Sequence, residues 1–507
     1  MGRLGIDFGT STTVIAAWDP TRHESSIVDL REYTTPNLGG EGINAIPSAI
    51  AYQHNGPPLV GDQVLRQSLY DNPNTFRDMK AYAAGRFHGS KNIGGRWTSY
   101  TDAGRDFLKS VLSALWADMN VAWDEEIALT VPVEAFEDFD EWLLSVAESA
   151  AGYSRIRLLD EATAAALGYQ ANIEPNEAFL VFDLGGGSLN VSVVLAEEDT
   201  ASAGSRRCRV LGKAGADDVG GRLIDEWLCA DVLRSAGREP YDPGLRLVQS
   251  SLRAECERAK IRLSSASTAT VTVIDPSDGH LLVHDELSRG RLVDVLRQNR
   301  LFERINRIIS EALSRASQGR GYEESSLKTV LMIGGSSFIP SVQAAIRDRF
   351  GADRVHFERP FDAVARGAAA FVAGVPLVDH VQHDYAIRFI DAQTGERPFR
   401  TLVGRGTHYP TSEPEAITVK AIHPNQTELG IEIYELSDAA GIDAARRSFW
   451  MNERNPTFLK ADPPAQPGDP GFEVLFSVDA NKRLIMTARD KRSVKYQFED
   501  FPVVRLT

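Results

Sequence analysis

Asp7-Phe8-Gly9-Thr10 and Asp183-Leu184-Gly185-Gly186-Gly187-Ser188 are the two stretches whose reading decides the fold. In each, an aspartate closes a short apolar run, and glycine and a hydroxyl residue follow. Residues 4–6 and 14–18 flank the first turn, and residues 178–182 and 191–195 flank the second. Each therefore reads as strand, tight turn, strand. Glycine lets the backbone approach a phosphate closely, and consecutive N–H groups there make an anion-binding nest. Thr10, Ser11, Thr12 and Ser188 add hydroxyls to the two nests. A single turn of this kind is only a hairpin. Its recurrence far along the chain indicates two related lobes facing each other. Facing aspartates, Asp7 and Asp183, can then hold a hydrated Mg²⁺ between the β- and γ-phosphates of a nucleotide.

Outward from the turns, strand-like and helix-like segments alternate up to about residue 374. Helical spacing covers 107–119, 223–233, 252–263, 291–315 and 363–372, and strands are expected at 127–131, 269–274 and 330–333. Gly334-Gly335-Ser336-Ser337 follows the buried strand 330–333 and precedes a helix from residue 339, a placement that suits close contact with an adenosine. Beyond a short connector the period changes to two, at 418–422, 430–435, 472–478 and 484–488, which predicts an antiparallel β domain. Residues 462–471, with four prolines, read as a loop. The expected domains are 1–374, a connector 375–383, and 384–507.

The 507-residue chain is 43% hydrophobic and carries a net charge of −15, an ordinary globular composition that disfavours a general nucleic-acid binder. The arginine-rich stretch 289–307 reads as a charged helix face. Three cysteines without a C-x-x-C pair suggest reduced thiols. The start of the chain has no secretory pattern and no apolar run reaches spanning length, so a cytoplasmic protein with no membrane association is expected. His380 and His383 lack accompanying carboxylates at ligand spacing and read as a solvated linker. There is no Walker A sequence.

Taken together, the motifs resemble the 70-kilodalton heat-shock chaperone family of the actin-like ATPase superfamily. Residues 5–13 and 182–191 are similar to its two phosphate motifs, 159–166 and 362–369 to its two connecting helices, and 330–339 to its adenosine motif. Ile46-Pro47-Ser48, Val60-Gly61-Asp62, Asn74-Thr75-Phe76-Arg77-Asp78-Met79-Lys80, Thr130-Val131-Pro132 and the run Cys256-Glu257-Arg258-Ala259-Lys260-Ile261 point to this family specifically. The resemblance covers 3–374 in the family's order. More loosely, Arg405-Gly406-Thr407, Pro410-Thr411, 430–434 and Phe476-Ser477-Val478-Asp479-Ala480-Asn481 resemble its peptide-binding β-sandwich.

The resemblance implies a two-lobed α/β ATPase with duplicated ribonuclease-H-like lobes, followed by an antiparallel β-sandwich; as a departure from the family, the β domain is expected without a helical lid. It implies ATP or ADP with Mg²⁺ as ligands and ATP hydrolysis as the activity. Asp7 and Asp183 would position the metal through water. Lys80 would stabilise the transferring phosphoryl group, and Glu161 would orient or activate the attacking water. Gly9, Thr10, Ser11, Thr12, Gly185, Gly186, Gly187, Ser188, Gly220 and Gly221 would cradle phosphate. Glu257, Lys260, Ser264, Gly334, Gly335, Ser336 and Phe338 would meet the adenosine. Expected partners are an extended polypeptide or one dedicated protein, with a J-domain protein and a nucleotide-exchange factor.

Several positions depart from the pattern. Asn190 stands in place of an aspartate, Phe338 and Ile261 in place of adenine-stacking arginines, and Phe361 in place of an acidic residue. Asn190 puts local ion binding in doubt, and the other three substitutions predict weaker or less selective adenine binding. The segment after Pro132 lacks an expected arginine, and Pro376 interrupts the connector. Both put the standard coupling between nucleotide and β domain in doubt. The main alternative is a nucleotide-dependent binding or signalling module with little turnover. A sugar kinase or an actin-like filament protein fits the family-specific segments poorly.

Overall fold

The computed structural model describes residues 3–506 except 39–42, 71, 86–87, 120–125, 133–136, 152–154, 170–176, 199–205, 217, 240–244, 246–247, 276–277, 321–326, 375–376, 379–380, 382, 391–394, 405–406, 408, 412, 437–444, 449–457 and 480–482. Val375, Pro376 and His380 of the expected connector, and Arg405, Gly406, Ala480 and Asn481 of the β-domain motifs, lie outside the described residues. The chain divides into two compact units, Met1–Pro132 with Trp142–Leu377, and Val133–Glu141 with Val378–Thr507.

The first unit is built on two sheets of the same design. In one, five strands run in the order Ile156–Asp160, Ile127–Val131, Arg3–Phe8, Thr12–Asp19, Glu24–Ile27. In the other the order is Val355–His356, Leu327–Ile333, Ala178–Leu184, Leu189–Glu198, Arg206–Ala216. Each sheet has an antiparallel hairpin whose first strand also pairs in parallel with a strand from much later in the chain. The parallel strand Ile127–Val131 is covered on both faces, and all five of its residues are buried. This repetition puts the two glycine turns at equivalent sheet ends.

Two helices cross beneath the hairpins, Glu161–Gly168 and Ala363–Val372. Asp160 starts the first by accepting a hydrogen bond from the Thr163 N–H at 2.8 Å, an N-cap worth about 1 kcal/mol. The crossing is as close as backbones allow. A Cβ on Gly168 would lie 1.7 Å from the Ala363 carbonyl oxygen, and one on Gly367 would lie 1.7 Å from that of Ala164. Only glycine fits at either place.

The second unit, after Val378, consists of strands among its described residues. Phe399–Val403, Asp384–Arg388, Ile433–Leu436 and Ala445–Ser448 form one sheet; Glu415–Val419, Phe472–Val478, Arg483–Asp490 and Lys495–Arg505 form another. Burial alternates strictly along Phe472–Val478 and Arg483–Asp490. The inward residues Val474, Phe476, Leu484 and Met486 share one core with Tyr385, Ile387 and Leu402. That is the sandwich geometry the period-2 pattern calls for.

Four expectations need correction. Residues 291–315 are not one helix but two, Arg289–Gln298 and Leu301–Arg320, because Arg300 takes a left-handed conformation (φ 56°) between them. The proline-rich stretch is not all loop: the strand Phe458–Ala465 runs through Pro463 and Pro464. It pairs only with Gln426–Gly430, in an irregular register, and a marginal strand of this kind tolerates missing N–H donors. The strand expected at 418–422 lies at Glu415–Val419. His383 is no solvated linker residue. It is buried, with Nδ1 2.6 Å from Glu435 Oε1, and the Tyr385 hydroxyl donates to the same oxygen at 2.9 Å.

Candidate nucleotide site

The two glycine turns close in the same way. The Gly9 N–H donates to the Thr12 carbonyl and the Gly185 N–H to the Ser188 carbonyl, both at 3.0 Å. The tips of the turns touch. A Cβ on Gly186 would lie 2.0 Å from Ser11 Oγ, and one on Gly187 would lie 3.2 Å from Thr10 Cγ2. Thr10, Ser11, Gly186 and Gly187, chosen from sequence, therefore line one narrow gap between the lobes. Ser48 braces the first turn: its hydroxyl donates to the Gly9 carbonyl at 2.8 Å and lies 2.9 Å from Thr13 Oγ1. Asn190 braces the second, its amide donating to Ser188 Oγ at 3.2 Å.

At the base of this gap four ionisable side chains converge. Asp7 and Asp183 occupy matching places in the first strand of each hairpin. Lys80 lies in the first turn of the helix Met79–Ala84, which follows Asp78 in a left-handed conformation (φ 58°). Glu161 begins its own helix. Lys80 Nζ lies 2.5 Å from Glu161 Oε1, and both side chains are almost fully buried. Thr130, from the neighbouring parallel strand, donates its hydroxyl to Asp7 at 3.0 Å.

Three carboxylates thus share one ammonium, and the deficit of positive charge shows in the titration of Asp7 and Asp183. Burial, with the Glu161 and Asp7 carboxylates adding to it against Lys80, pushes Asp183 up to about 8. Burial raises Asp7 to about 6, although Lys80 and the Thr130 hydroxyl pull it down. For Lys80 burial acts to lower the ammonium, but Glu161, Asp7 and Asp183 outweigh it and hold Lys80 above the ordinary lysine range. A site in this condition holds protons that a cation would replace. Among the described residues no three His, Cys, Asp or Glu side chains are grouped to ligate a metal directly. Asp7 and Asp183, buried and only partly compensated by Lys80, are carboxylates whose charge a divalent cation held through water could balance.

The second lobe extends the site. The N–H groups of Gly221 and Arg222, in the first turn of the helix Gly221–Ser235, donate to the Gly185 and Gly186 carbonyls at 3.0 and 2.8 Å. Gly220 presses on the Gly186–Gly187 turn too closely for a side chain, and a Cβ on Gly221 would lie 2.7 Å from Ser336 Oγ. Ser336 donates its hydroxyl to the Gly185 carbonyl at 3.0 Å. Gly334, at φ 84°, would place a Cβ 2.5 Å from Asp183 Oδ1, so the Gly334-Gly335 turn abuts the Asp183 carboxylate. Gly335 faces the Phe361 ring, 3.5 Å from where its Cβ would be, and Phe338 is half-buried in the same short turn.

The helix Gln249–Ser265 supplies Glu257, Lys260 and Ser264. Lys260 is buried, 2.8 Å from Asp225 Oδ1 and 3.1 Å from the Gly221 carbonyl oxygen, so it ties the phosphate-side helix to the adenosine-side helix. Ser264 caps back onto the Lys260 carbonyl at 3.4 Å. Glu257 is half-buried, and its charge, after burial, raises the Tyr70 phenol on the opposite side of the cleft. Ile261 is half-exposed.

A model of the Hsp70 protein family matches residues 110–501 of the chain. This chain belongs to the Hsp70 family. Its relatives include the pea protein named stromal 70 kDa heat shock-related protein, chloroplastic, 27% identical over 97% of this chain and 69% of the relative. A second is the chaperone protein dnaK of Cyanidium caldarium, 27% identical over 97% of this chain and 79% of that protein. Hsp70 proteins are nucleotide-binding chaperones that take polypeptide substrates, and the duplicated ATPase lobes with a β-sandwich are the family's fold.

Sequence reasoning missed Thr130, Ser48, Asp225 and the pair Arg222–Asp78, whose Nη1 and Oδ2 lie 3.3 Å apart across the cleft. Thr130 and Ser48 fell inside quoted Hsp70 motifs and were not given roles. Asp225 stands one helical turn after Gly221, and that spacing was its available signal. Nothing local pairs Arg222 with Asp78, 144 residues away in sequence.

Proposed function

We propose that this chain binds Mg–ATP in the gap between its two glycine turns, hydrolyses it, and uses the nucleotide state to set the affinity of its β-sandwich for an extended polypeptide. The convergence of Asp7, Lys80, Glu161 and Asp183 in buried surroundings carries this reading. A divalent cation held through water by Asp7 and Asp183 would neutralise the β- and γ-phosphate oxygens. The turn N–H groups and the hydroxyls of Thr10, Ser11 and Ser188 would fix the phosphates. Lys80 would meet the charge of the transferring phosphoryl group at a place where water is excluded, and a charge interaction counts for more there than in solvent. Glu161 would aim Lys80 and the attacking water together.

The alternative, a nucleotide-dependent binding module with little turnover, draws on the same ion pair. A carboxylate engaged 2.5 Å from an ammonium is a poor base. Single-turnover hydrolysis of Mg–ATP decides between them. Hydrolysis abolished by Lys80→Met supports the enzyme; tight ATP binding with no phosphate released overturns it in favour of the module. Coupling is tested with an unfolded peptide whose affinity is measured with ATP and with ADP. Equal affinities would mean that nucleotide has no leverage on the β domain. A J-domain protein and an exchange factor are proposed partners on the same basis and would show as accelerated turnover.

A further inference from the structure

The helix Gly221–Ser235 carries Cys229, and the helix Gln249–Ser265 carries Cys256. Cys256 is on the inward stripe Leu252, Cys256, Ala259, Leu263, all buried. Cys229 follows the buried Leu228 and packs at the margin of the same core. The Cys229 thiol donates to the Leu252 carbonyl at 3.8 Å, one turn before Cys256, and it also lies within hydrogen-bonding range of the Cys256 thiol. Both cysteines are free. These helices bear the two sides of the proposed nucleotide site: the first begins at the Gly220-Gly221 phosphate turn, and the second holds Glu257 and Lys260. Lys260 also ties them, to Asp225 and to the Gly221 carbonyl.

We propose that Cys229 and Cys256 form a reversible dithiol–disulfide pair that joins the phosphate-side helix to the adenosine-side helix and makes nucleotide affinity depend on thiol state. The oxidant is a small-molecule disulfide. Cys229, half-buried, is the sulfur that such a reagent reaches. Its thiolate attacks one reagent sulfur, the reagent S–S bond breaks, and one reagent thiolate leaves. Cys256 then gives up its proton, its sulfur attacks Cys229 Sγ, and the second reagent thiolate leaves. Two electrons pass from the protein to the reagent, and two protons end on the released thiols. The neighbouring Cys229 thiol and burial hold Cys256 far above the ordinary thiol range, which reserves it for the second step. A cross-link there removes relative freedom of the two helices, so binding has less to order and tightens.

This inference rests on the nucleotide reading, and the experiment keeps the two apart. Full-length protein carrying Cys208→Ser, which removes the third cysteine, is equilibrated with oxidised or with reduced glutathione. Non-reducing peptide mapping reads the cross-link, and titration with a fluorescent ATP analogue and Mg²⁺ reads affinity. The expected result is a 229–256 cross-link, affinity increased about fivefold or more, and reversal by dithiothreitol. Cys229→Ser, at the less buried position, abolishes both effects, and Cys256→Ser leaves a glutathione adduct on Cys229 without the gain. Thiols that stay free under oxidised glutathione overturn the proposal. So does a cross-link that leaves affinity unchanged, or an equal gain in the Cys256→Ser adduct. If the reduced protein binds no nucleotide, the site reading fails instead. The pair then stands or falls on the cross-link and on a cross-link-dependent rise in melting temperature.

Discussion

Replacing Lys80 by methionine removes the only cation among the four ionisable groups at the base of the cleft while keeping most of the side-chain volume. Lys80 Nζ lies 2.5 Å from Glu161 Oε1, and its charge also holds down Asp7 and Asp183. Two losses follow. The transferring phosphoryl group loses a preorganised positive charge, which at comparable enzyme sites is worth about 10²–10³ in rate. The three carboxylates lose their shared counter-ion, so Asp7 and Asp183 retain protons to still higher pH and compete with the metal. The turn N–H groups and the adenosine side are untouched. The expected result is therefore a single-turnover hydrolysis rate reduced about 10²–10³-fold, with nucleotide affinity reduced less than about tenfold. Rapid-quench measurement of phosphate release at saturating Mg–ATP gives the rate, and equilibrium titration gives the affinity. Hydrolysis within about threefold of the parent, in a variant with unchanged affinity, would refute the role assigned to Lys80.

Further outcomes follow from the same geometry. With Asp7 at about 6 and Asp183 at about 8, Mg²⁺-dependent nucleotide affinity should rise between pH 6 and 8 and level off above; a flat profile counts against proton–metal competition. These raised values also mean that the folded protein without ligand binds protons that the unfolded chain has released, so the contribution of Asp183 is present at low pH and is lost as pH rises toward about 8. Asp183→Asn should flatten that decline in melting temperature. Gly186→Ala places a methyl 2.0 Å from Ser11 Oγ and should weaken ATP binding about tenfold or more, with partial recovery when Ser11→Ala removes the clashing oxygen, as read by titration. Arg222→Ala should speed nucleotide release only about two- to fivefold, because the pair with Asp78 is part-exposed; the charge exchange Arg222→Asp with Asp78→Arg should restore the parent rate in stopped flow. Phe361 and Phe338 offer flat apolar faces at the adenosine motif, so ATP and GTP should bind with comparable affinity, and a strong ATP preference in competition titrations would count against that reading.

The hairpins and the two connecting helices were legible because their signals are local: glycine after a strand-ending aspartate, and an alanine-rich run bounded by glycine. The helix Ala363–Val372 and the strand Ile127–Val131 fall where apolar spacing puts them. Local signals fail where a partner decides. Arg300 breaks a helix that the periodicity extends without interruption, and Pro463 and Pro464 join a strand because that strand pairs only with Gln426–Gly430. His383 is polar and close to a connector, yet Glu435, 52 residues on, gives it a buried partner. In the site, Lys80 and Glu161 stood out only as members of matching segments. Their contact at 81 residues' separation, and the tie between Lys260 and Asp225, belong to tertiary structure alone.

The glycine crossing of the two connecting helices has a mechanical consequence. Most packed helices are geared together, with side-chain ridges seated in grooves, and to turn one against the other they must unseat rotamers. At Gly168 and Gly367 backbone rests on backbone with no teeth between. Such a contact is a plain bearing. It fixes the distance between the axes while leaving the angle comparatively free. A change in the angle between the two helices then requires no side-chain ridge to be unseated at this crossing. A single added methyl at either glycine would push the axes apart and put a tooth on the bearing.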